Sequence, residues 1–132
     1  MENTNFQIYE LELYITEIML EIGIPAHLRG YYYLREAILL SAQNMEYVCS
    51  ATKMLYPMVA KQFQTTTQKV ERSIRNAIEV SWLRGNPGTI KRLFGCSNPD
   101  IYKRPTNTEY VARIADKVRL DMKALSNQKE AI

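Results

Sequence analysis

The chain has 132 residues, 46% of them hydrophobic, and a net charge of +3, which suits one domain and leaves no room for a second of ordinary size. No apolar run approaches the roughly 20 residues of a membrane span and no secretory signal is present, so a cytoplasmic protein with no membrane role is expected. Its single His and two distant Cys offer no paired ligand spacing, so neither a metal nor another cofactor is expected.

Charge is unevenly distributed along the chain. Residues 1–50 carry seven Glu and two Arg, a net charge of −5, whereas residues 51–132 carry fifteen Lys or Arg and seven Asp or Glu, a net charge of +8. This asymmetry favours an anionic partner for the second part of the chain, although a solvated basic face would give the same count.

Residues 4–22 are predicted to form an amphipathic helix that Gly23 and Pro25 end. Apolar residues recur there at helical intervals, at Ile8, Leu11, Ile15, Ile18, Met19 and Ile22. Glu side chains on the opposite face argue against adsorption to anionic lipid.

A connector over residues 23–30 leads to a second predicted helix over residues 31–46. Its candidates for burial are Tyr32, Leu34, Ala37, Ile38 and Met45. The run of three tyrosines at 31–33 is interpreted as core packing rather than a base-stacking platform, because such platforms usually lie on sheets. His27 is interpreted as a loop or capping residue.

Residues 57–83 predict a helix-turn-helix. Pro57 is tolerated in the first turn of the first helix, whose apolar face carries Val59, Ala60 and Phe63. The polar run from Gln64 to Thr67 ends this helix, with Gln64 at a position where such turns often have Gly. N-cap candidates for the next helix are Thr65, Thr66 and Thr67, and Gln68 stands three after Thr65, as a reciprocal capping pair requires.

The second helix of this motif has two distinct faces. The face predicted to pack on the core carries Val70, Ile74, Ala77, Ile78 and Trp82. The opposite face carries Gln68, Lys69, Glu71, Arg72, Arg75 and Asn76. These residue types reach phosphates and base edges when a helix enters the major groove of double-stranded DNA.

The C-terminal part contains two further predicted helices. The turn at 85–88 precedes a short helix from Thr89 to Phe94, and a loop follows at 96–105. Thr106 and Glu109 form a predicted capping box for the last helix, which turns Val111, Ile114, Ala115 and Val118 inward. Six helices and no strand predict one all-α domain over residues 1–132, a winged-helix-like effector bundle without a sheet, with a core of about 15–124.

Three long segments of the sequence resemble one known family. They are GIPAHLRGYYYLREAI, TKMLYPMVAKQFQTTTQKVERSIRNAIEVSWLRGN, and LFG followed by RPTNTEYVARIADKVRL. In order and spacing they are similar to the C-terminal effector domain of the stage-zero sporulation master response regulator of endospore-forming Firmicutes. The resemblance runs from about Ile15 to Leu120. It implies a six-helix domain that binds a TGTCGAA-like box and regulates transcription of sporulation-type genes at the nucleoid.

The resemblance also implies which residues bind DNA. The family's base-reading segment corresponds to Lys69-Val70-Glu71-Arg72, and the base-reading residues are then Gln68, Lys69, Glu71 and Arg72. The residues assigned to the DNA backbone are Lys53, Thr65, Thr66, Thr67, Arg75 and Asn76. The family commonly has Arg where this chain has Lys69, so bidentate reading is weaker there, and either a slightly altered or a relaxed box would follow. Asn76 replaces a common His.

Protein partners follow from the same resemblance. The family uses the short helix and the loop after it to contact the RNA polymerase sigma subunit, which assigns Thr89, Phe94 and Asn98 to that contact. A homodimer on tandem boxes, formed through the last helix, is also expected. The family's phosphoacceptor receiver domain is absent, because no Asp precedes Asp100. The chain is therefore either an excised effector domain or a stand-alone relative.

Two function classes stay open at this point. A sequence-specific transcription regulator is favoured, because a pure antagonist that pairs with a full-length relative has no need for the basic reading face. The alternative is such a protein-interaction module. An enzyme is not expected, since no nucleophile, base and orienting acid can be assembled around His27 and no Gly-rich phosphate loop follows a strand.

Overall fold

The computed structural model describes residues 4–95 and 104–130, and every regular element in these two ranges is helical. The all-α architecture without a sheet is thereby confirmed. The α-helices are α1 Thr4–Ile22, α2 Arg29–Gln43, α3 Glu46–Cys49, α4 Tyr56–Gln62, α5 Thr67–Arg84, α6 Pro87–Phe94 and α7 Asn107–Glu130. A π-helical turn, Ala51–Leu55, lies between α3 and α4. None of these helices is long and apolar enough to cross a bilayer.

The first two helices agree with the sequence in position but differ in detail. α1 covers the predicted range, whereas α2 ends at Gln43 and not at residue 46. The reason is Asn44, whose extended backbone (φ −153°, ψ 102°) stops α2. Its side-chain Oδ1 accepts the Glu46 N–H at 3.1 Å, which starts α3. The sequence prediction missed α3 and the π-helical turn.

The predicted burial on α2 is correct for three of the five residues. Leu34, Ala37 and Ile38 are fully buried. Tyr32 is instead 43% exposed, because one helical step turns it about 100° away from its buried neighbours. Met45 lies beyond the end of α2 and is half-buried.

The structure places α2 at the centre of the domain, in contact with α1, α5 and α7. Gly30 makes its crossing with α5 possible. A Cβ atom built at Gly30 would lie only 2.0 Å from the Ser73 main-chain oxygen of α5. Any side chain there would force the two helices apart, so the first turn of α2 is held directly against the middle of α5.

The C-terminal helices follow the predicted pattern closely. α6 starts two residues early because Asn86 caps it, with Oδ1 accepting the Gly88 N–H at 2.8 Å. Thr106 and Glu109 form the predicted capping box, with Glu109 N–H donating to Thr106 Oγ1 at 3.2 Å. The inward face of α7 is buried as predicted, and the helix continues to Glu130.

Candidate nucleic-acid interface

Helices α4 and α5 form the predicted helix-turn-helix, joined by a tight turn over residues 63–66. At the end of α4, Thr65 N–H donates to the Ala60 carbonyl at 2.9 Å and Gln64 N–H donates to the Lys61 carbonyl at 3.3 Å. These two bonds form the Schellman motif, which ends a helix at a residue with left-handed backbone dihedral angles. Glycine usually occupies that position. Gln64 has a φ of 55°. It therefore occupies the glycine position of the turn.

Helix α5 begins at Thr67, as predicted, and its N-cap is Thr66. The Thr66 Oγ1 accepts the Lys69 N–H at 3.2 Å. The predicted pairing of Thr65 with Gln68 is wrong, because the backbone is extended at Thr66 (φ −99°, ψ 154°), one residue later than the pairing requires. Lys69 then stands where a reciprocal cap needs Glu or Gln, so this end of α5 has a single side-chain cap.

The two faces of α5 are separated as the sequence predicts. The buried face contains Val70, Ile74, Ala77, Ile78 and Trp82. The exposed face contains Gln68, Lys69, Arg72, Arg75 and Asn76. Within residues 4–95 and 104–130, none of the three cations on this face forms an ion pair or a hydrogen bond through its side chain. Their charge is available to an external anion.

Glu71 lies on the flank of α5 and is half-buried. Its main-chain oxygen accepts Asn107 Nδ2 from the first turn of α7 at 2.9 Å. Burial raises the pKa of Tyr56, and the negative charge of Glu71 contributes to that increase. Glu71 and Tyr56 line the same cleft beside the first turn of α7.

The exposed face of α5 is bordered by a groove on each side. On the α7 side, a cleft of about 300 Å³ is lined by Tyr56, Glu71, Arg75, Arg104, Pro105, Thr106, Asn107 and Thr108. On the α2 side, a groove of about 380 Å³ is lined by Leu28, Arg29, Gly30, Arg72, Ser73 and Asn76. The predicted DNA-binding residues of α5 therefore divide between these two grooves and the ridge between them.

The predicted backbone-contacting residues outside this ridge differ in exposure. Thr66 is exposed, whereas Thr65 and Thr67 are half-buried. Lys53 is exposed and belongs to the π-helical turn ahead of α4. Lys53 and Thr66 are therefore the more accessible of these candidates for a contact with the DNA backbone.

A sequence model of the family described as the sporulation initiation factor Spo0A C terminal matches residues 15–118, which is 104 of the 132 residues. The chain belongs to this family. The Spo0A C-terminal family is a family of DNA-binding regulators of sporulation transcription and not an enzyme family. The match confirms the resemblance, and the helix-turn-helix of α4 and α5 lies entirely within it.

Within this Spo0A-type domain, two of the three residues assigned to a polymerase contact face inward. Thr89 is buried beside Ile90, which corrects the expectation that it is available to a partner. Phe94 is half-buried, with its ring 4.8 Å from that of Tyr110 and 5.6 Å from that of Trp82, between centroids. Asn98 lies outside the described residues. Because α6 is amphipathic, its helical spacing places Thr89 on the buried face.

The sequence prediction missed the hydrogen bonds that hold the helix-turn-helix from α7. Besides Asn107, the Thr108 Oγ1 lies 3.0 Å from the Tyr56 hydroxyl at the start of α4. The Tyr110 hydroxyl lies 3.1 Å from Ser81 Oγ in α5. One turn of α7 therefore contacts both helices of the DNA-binding unit. Polar residues in and directly after the capping box gave no signal of this, because their partners are 29 to 52 residues away.

Proposed function

We propose that this domain is a sequence-specific transcription regulator that reads a TGTCGAA-like box by placing α5 in the major groove. The observation that carries the proposal is the exposed face of α5, where Lys69, Arg72 and Arg75 lack partners in the described part of the chain. Three such cations on one exposed helix face attract an external anion, and phosphates and base edges are acceptors that could use them together. The proposal takes about residues 15–124 as the functional unit, acting at the nucleoid in the cytoplasm.

The proposal assigns separate roles to the residues of the interface. Arg72 would grip guanine O6 and N7, and Glu71 would accept from a cytosine amino group, each discriminating by about 1–3 kcal/mol. Gln68 and Lys69 complete the base-reading set. The residues that would hold the backbone are Lys53, Thr65, Thr66, Thr67, Arg75 and Asn76. Because Glu71 is half-buried, its contact requires a close approach of the base on the α7 side of the helix.

The proposal includes two protein contacts. The end of α6 and the residues after it, including Asn98, would contact the RNA polymerase sigma subunit. Two copies would bind tandem boxes side by side through α7, where Leu120 and Leu125 are each 48% exposed. Equal affinity for single and tandem boxes at all protein concentrations would contradict the paired arrangement.

The decisive experiment compares a duplex carrying the TGTCGAA-like box with a scrambled duplex of the same composition. Fluorescence anisotropy at several salt concentrations gives both Kd values, and their ratio separates base reading from phosphate attraction. A ratio of about 10³ or more is expected. Equal, weak binding to both duplexes would contradict the proposal and favour the alternative module that pairs with a full-length relative.

A further inference from the structure

Arg29 is the one arginine of the acidic N-terminal part that the described structure leaves without a partner. Residues 1–50 contain two arginines, Arg29 and Arg35. Arg35 is occupied, since it donates to Thr16 Oγ1 at 3.2 Å, lies 3.8 Å from a Glu12 oxygen and packs over tyrosine rings. Arg29 is exposed, and it forms no ion pair or side-chain hydrogen bond with residues 4–95 or 104–130.

The fold fixes this unpaired cation beside the reading helix. Gly30, the next residue, lies so close to α5 that an added Cβ would lie 2.0 Å from Ser73 O and 3.0 Å from the Ala77 Cβ. The backbone of Arg29 consequently cannot move far from α5 without separating the two helices. The first turn of α2, which is far from the DNA-binding motif in sequence, thus places a positive charge at the edge of that motif.

The groove that Arg29 enters is cationic and contains no acid. Arg29 and Arg72 line it from opposite sides, and Asn76 adds an amide donor. The remaining lining residues are Leu28, Gly30 and Ser73. The Arg29 guanidinium presents five N–H donors, and nothing among the lining side chains neutralises its charge or that of Arg72. Such a groove suits a phosphodiester or phosphate group, which accepts bidentate hydrogen bonds from Arg.

We propose that Arg29 binds a phosphate of the DNA backbone at the α2 side of the reading helix. The proposal rests on the proposed function, because it places DNA against α5. When α5 lies in the major groove, the strands on either side of the groove run past its flanks. Arg29 meets one of these strands from a second helix, so it fixes how α5 is oriented in the groove and carries no base information.

The expected effect of losing Arg29 follows from counterion release. Losing one phosphate contact makes the negative slope of log K against log salt shallower by about 0.9. Extrapolated from a 1 M reference, that slope change corresponds to about a five-fold loss of affinity at 0.15 M salt. Because the contact is to the backbone, the loss is the same on boxed and scrambled duplexes, and their ratio of Kd values stays constant.

The test compares Arg29→Gln with Arg84→Gln, a matched loss of an exposed arginine at the far end of α5, twelve residues from Arg72. Both variants are titrated with both duplexes at four salt concentrations. Arg29→Gln is expected to weaken binding about five-fold and to reduce the slope by about 0.9, whereas Arg84→Gln leaves both unchanged. Arg29→Lys, which keeps the charge, should restore the slope. Equal Kd values and slopes for the two Gln variants would overturn the proposal.

Two further arms separate this proposal from neighbouring ones. Equal binding of the wild-type domain to both duplexes would contradict the proposed function. A shallower salt dependence for Arg29→Gln would still support the backbone contact. Wild-type protein that binds neither duplex would overturn both. If inorganic phosphate saturably shifts the Arg29 Nε–H resonance while Arg29→Gln leaves the DNA slope unchanged, the groove is a site for free phosphate and the assignment to DNA is wrong.

Discussion

The turn between α4 and α5 allows a direct measurement of what the left-handed residue costs. Gln64 has a φ of 55°, where a Cβ atom crowds the following carbonyl oxygen. We expect Gln64→Gly to stabilise the domain, because glycine adopts this conformation without that crowding.

The magnitude follows from two opposing terms. The left-handed conformation costs a non-glycine residue about 1–2 kcal/mol. Glycine loses more backbone entropy on folding, which returns about 0.5–1 kcal/mol of that gain. The net increase in the free energy of unfolding is therefore about 0.5–1 kcal/mol. At about 2.1 cal/mol/K of unfolding entropy per residue, this raises Tm by about 2–4 °C for a chain of this length.

The assay is urea and thermal unfolding followed by circular dichroism, with Gln64→Ala as the matched control. Alanine removes the same polar side chain but keeps the Cβ atom, so it should not gain stability. DNA affinity should stay within two-fold of wild type in both variants if the start of α5 is unmoved. Equal stability of the Gly and Ala variants would show that Gln64 is not held in a strained conformation, and the reasoning would be refuted.

Three other substitutions test the interface and its support. Glu71→Gln should change the preferred base at one box position, by about 1–3 kcal/mol in titrations of systematically varied duplexes. Gly30→Ala should destabilise the fold by about 2–3 kcal/mol in urea and weaken DNA binding, because its Cβ collides with Ser73 O. The hydrogen bond from Tyr14 lowers the pKa of Asp121. Asp121 then stabilises the fold above its unfolded pKa and loses this effect as pH falls, so Asp121→Asn should flatten stability between about pH 5 and 3.

Each of these has an internal comparison. Glu17→Gln on α1 removes an equal charge from an exposed site and should leave base preference unchanged; an unaltered profile for Glu71→Gln too would mean the assigned docking is wrong. Gly88→Ala meets only the Asn86 Oδ1 at 3.2 Å and should be far milder than Gly30→Ala. Identical acid sensitivity of wild type and Asp121→Asn would exclude the Tyr14 contact as a source of stability.

Local sequence signals predicted the helices well where a feature depends only on residues nearby in the sequence. The start of α5 at Thr67, the capping box of Thr106 and Glu109, and the buried stripe from Val70 to Trp82 depend on neighbours within a turn or two. The segment over α3 and the π-helical turn was missed, although Val48, Ala51 and Leu55 recur at spacings of three and four and are all buried. That stretch is too short for periodicity to outweigh the polar residues within it.

The site was harder to predict than the fold. Helical spacing predicted which residues of α5 are buried and which are exposed. The position of Glu71 beside α7 depends on a contact between residues far apart in the sequence, which no local pattern encodes. Arg29 and Gly30 stand in a stretch that resembles a connector, and only the crossing of α2 with α5 shows why they matter. Thr89 shows the reverse error, since a family role was carried to a position that this fold buries.

The hydrogen bonds from the first turn of α7 bear on the order of synthesis. Every residue of the helix-turn-helix has been synthesised once Arg84 is added, yet the partners of Tyr56, Glu71 and Ser81 are made later, at residues 107–110. A nascent chain, or one cut short by a stop codon between α6 and α7, would carry the whole reading helix without the groups that align it. About two dozen further residues must be translated after the reading helix before the groups that align it are present.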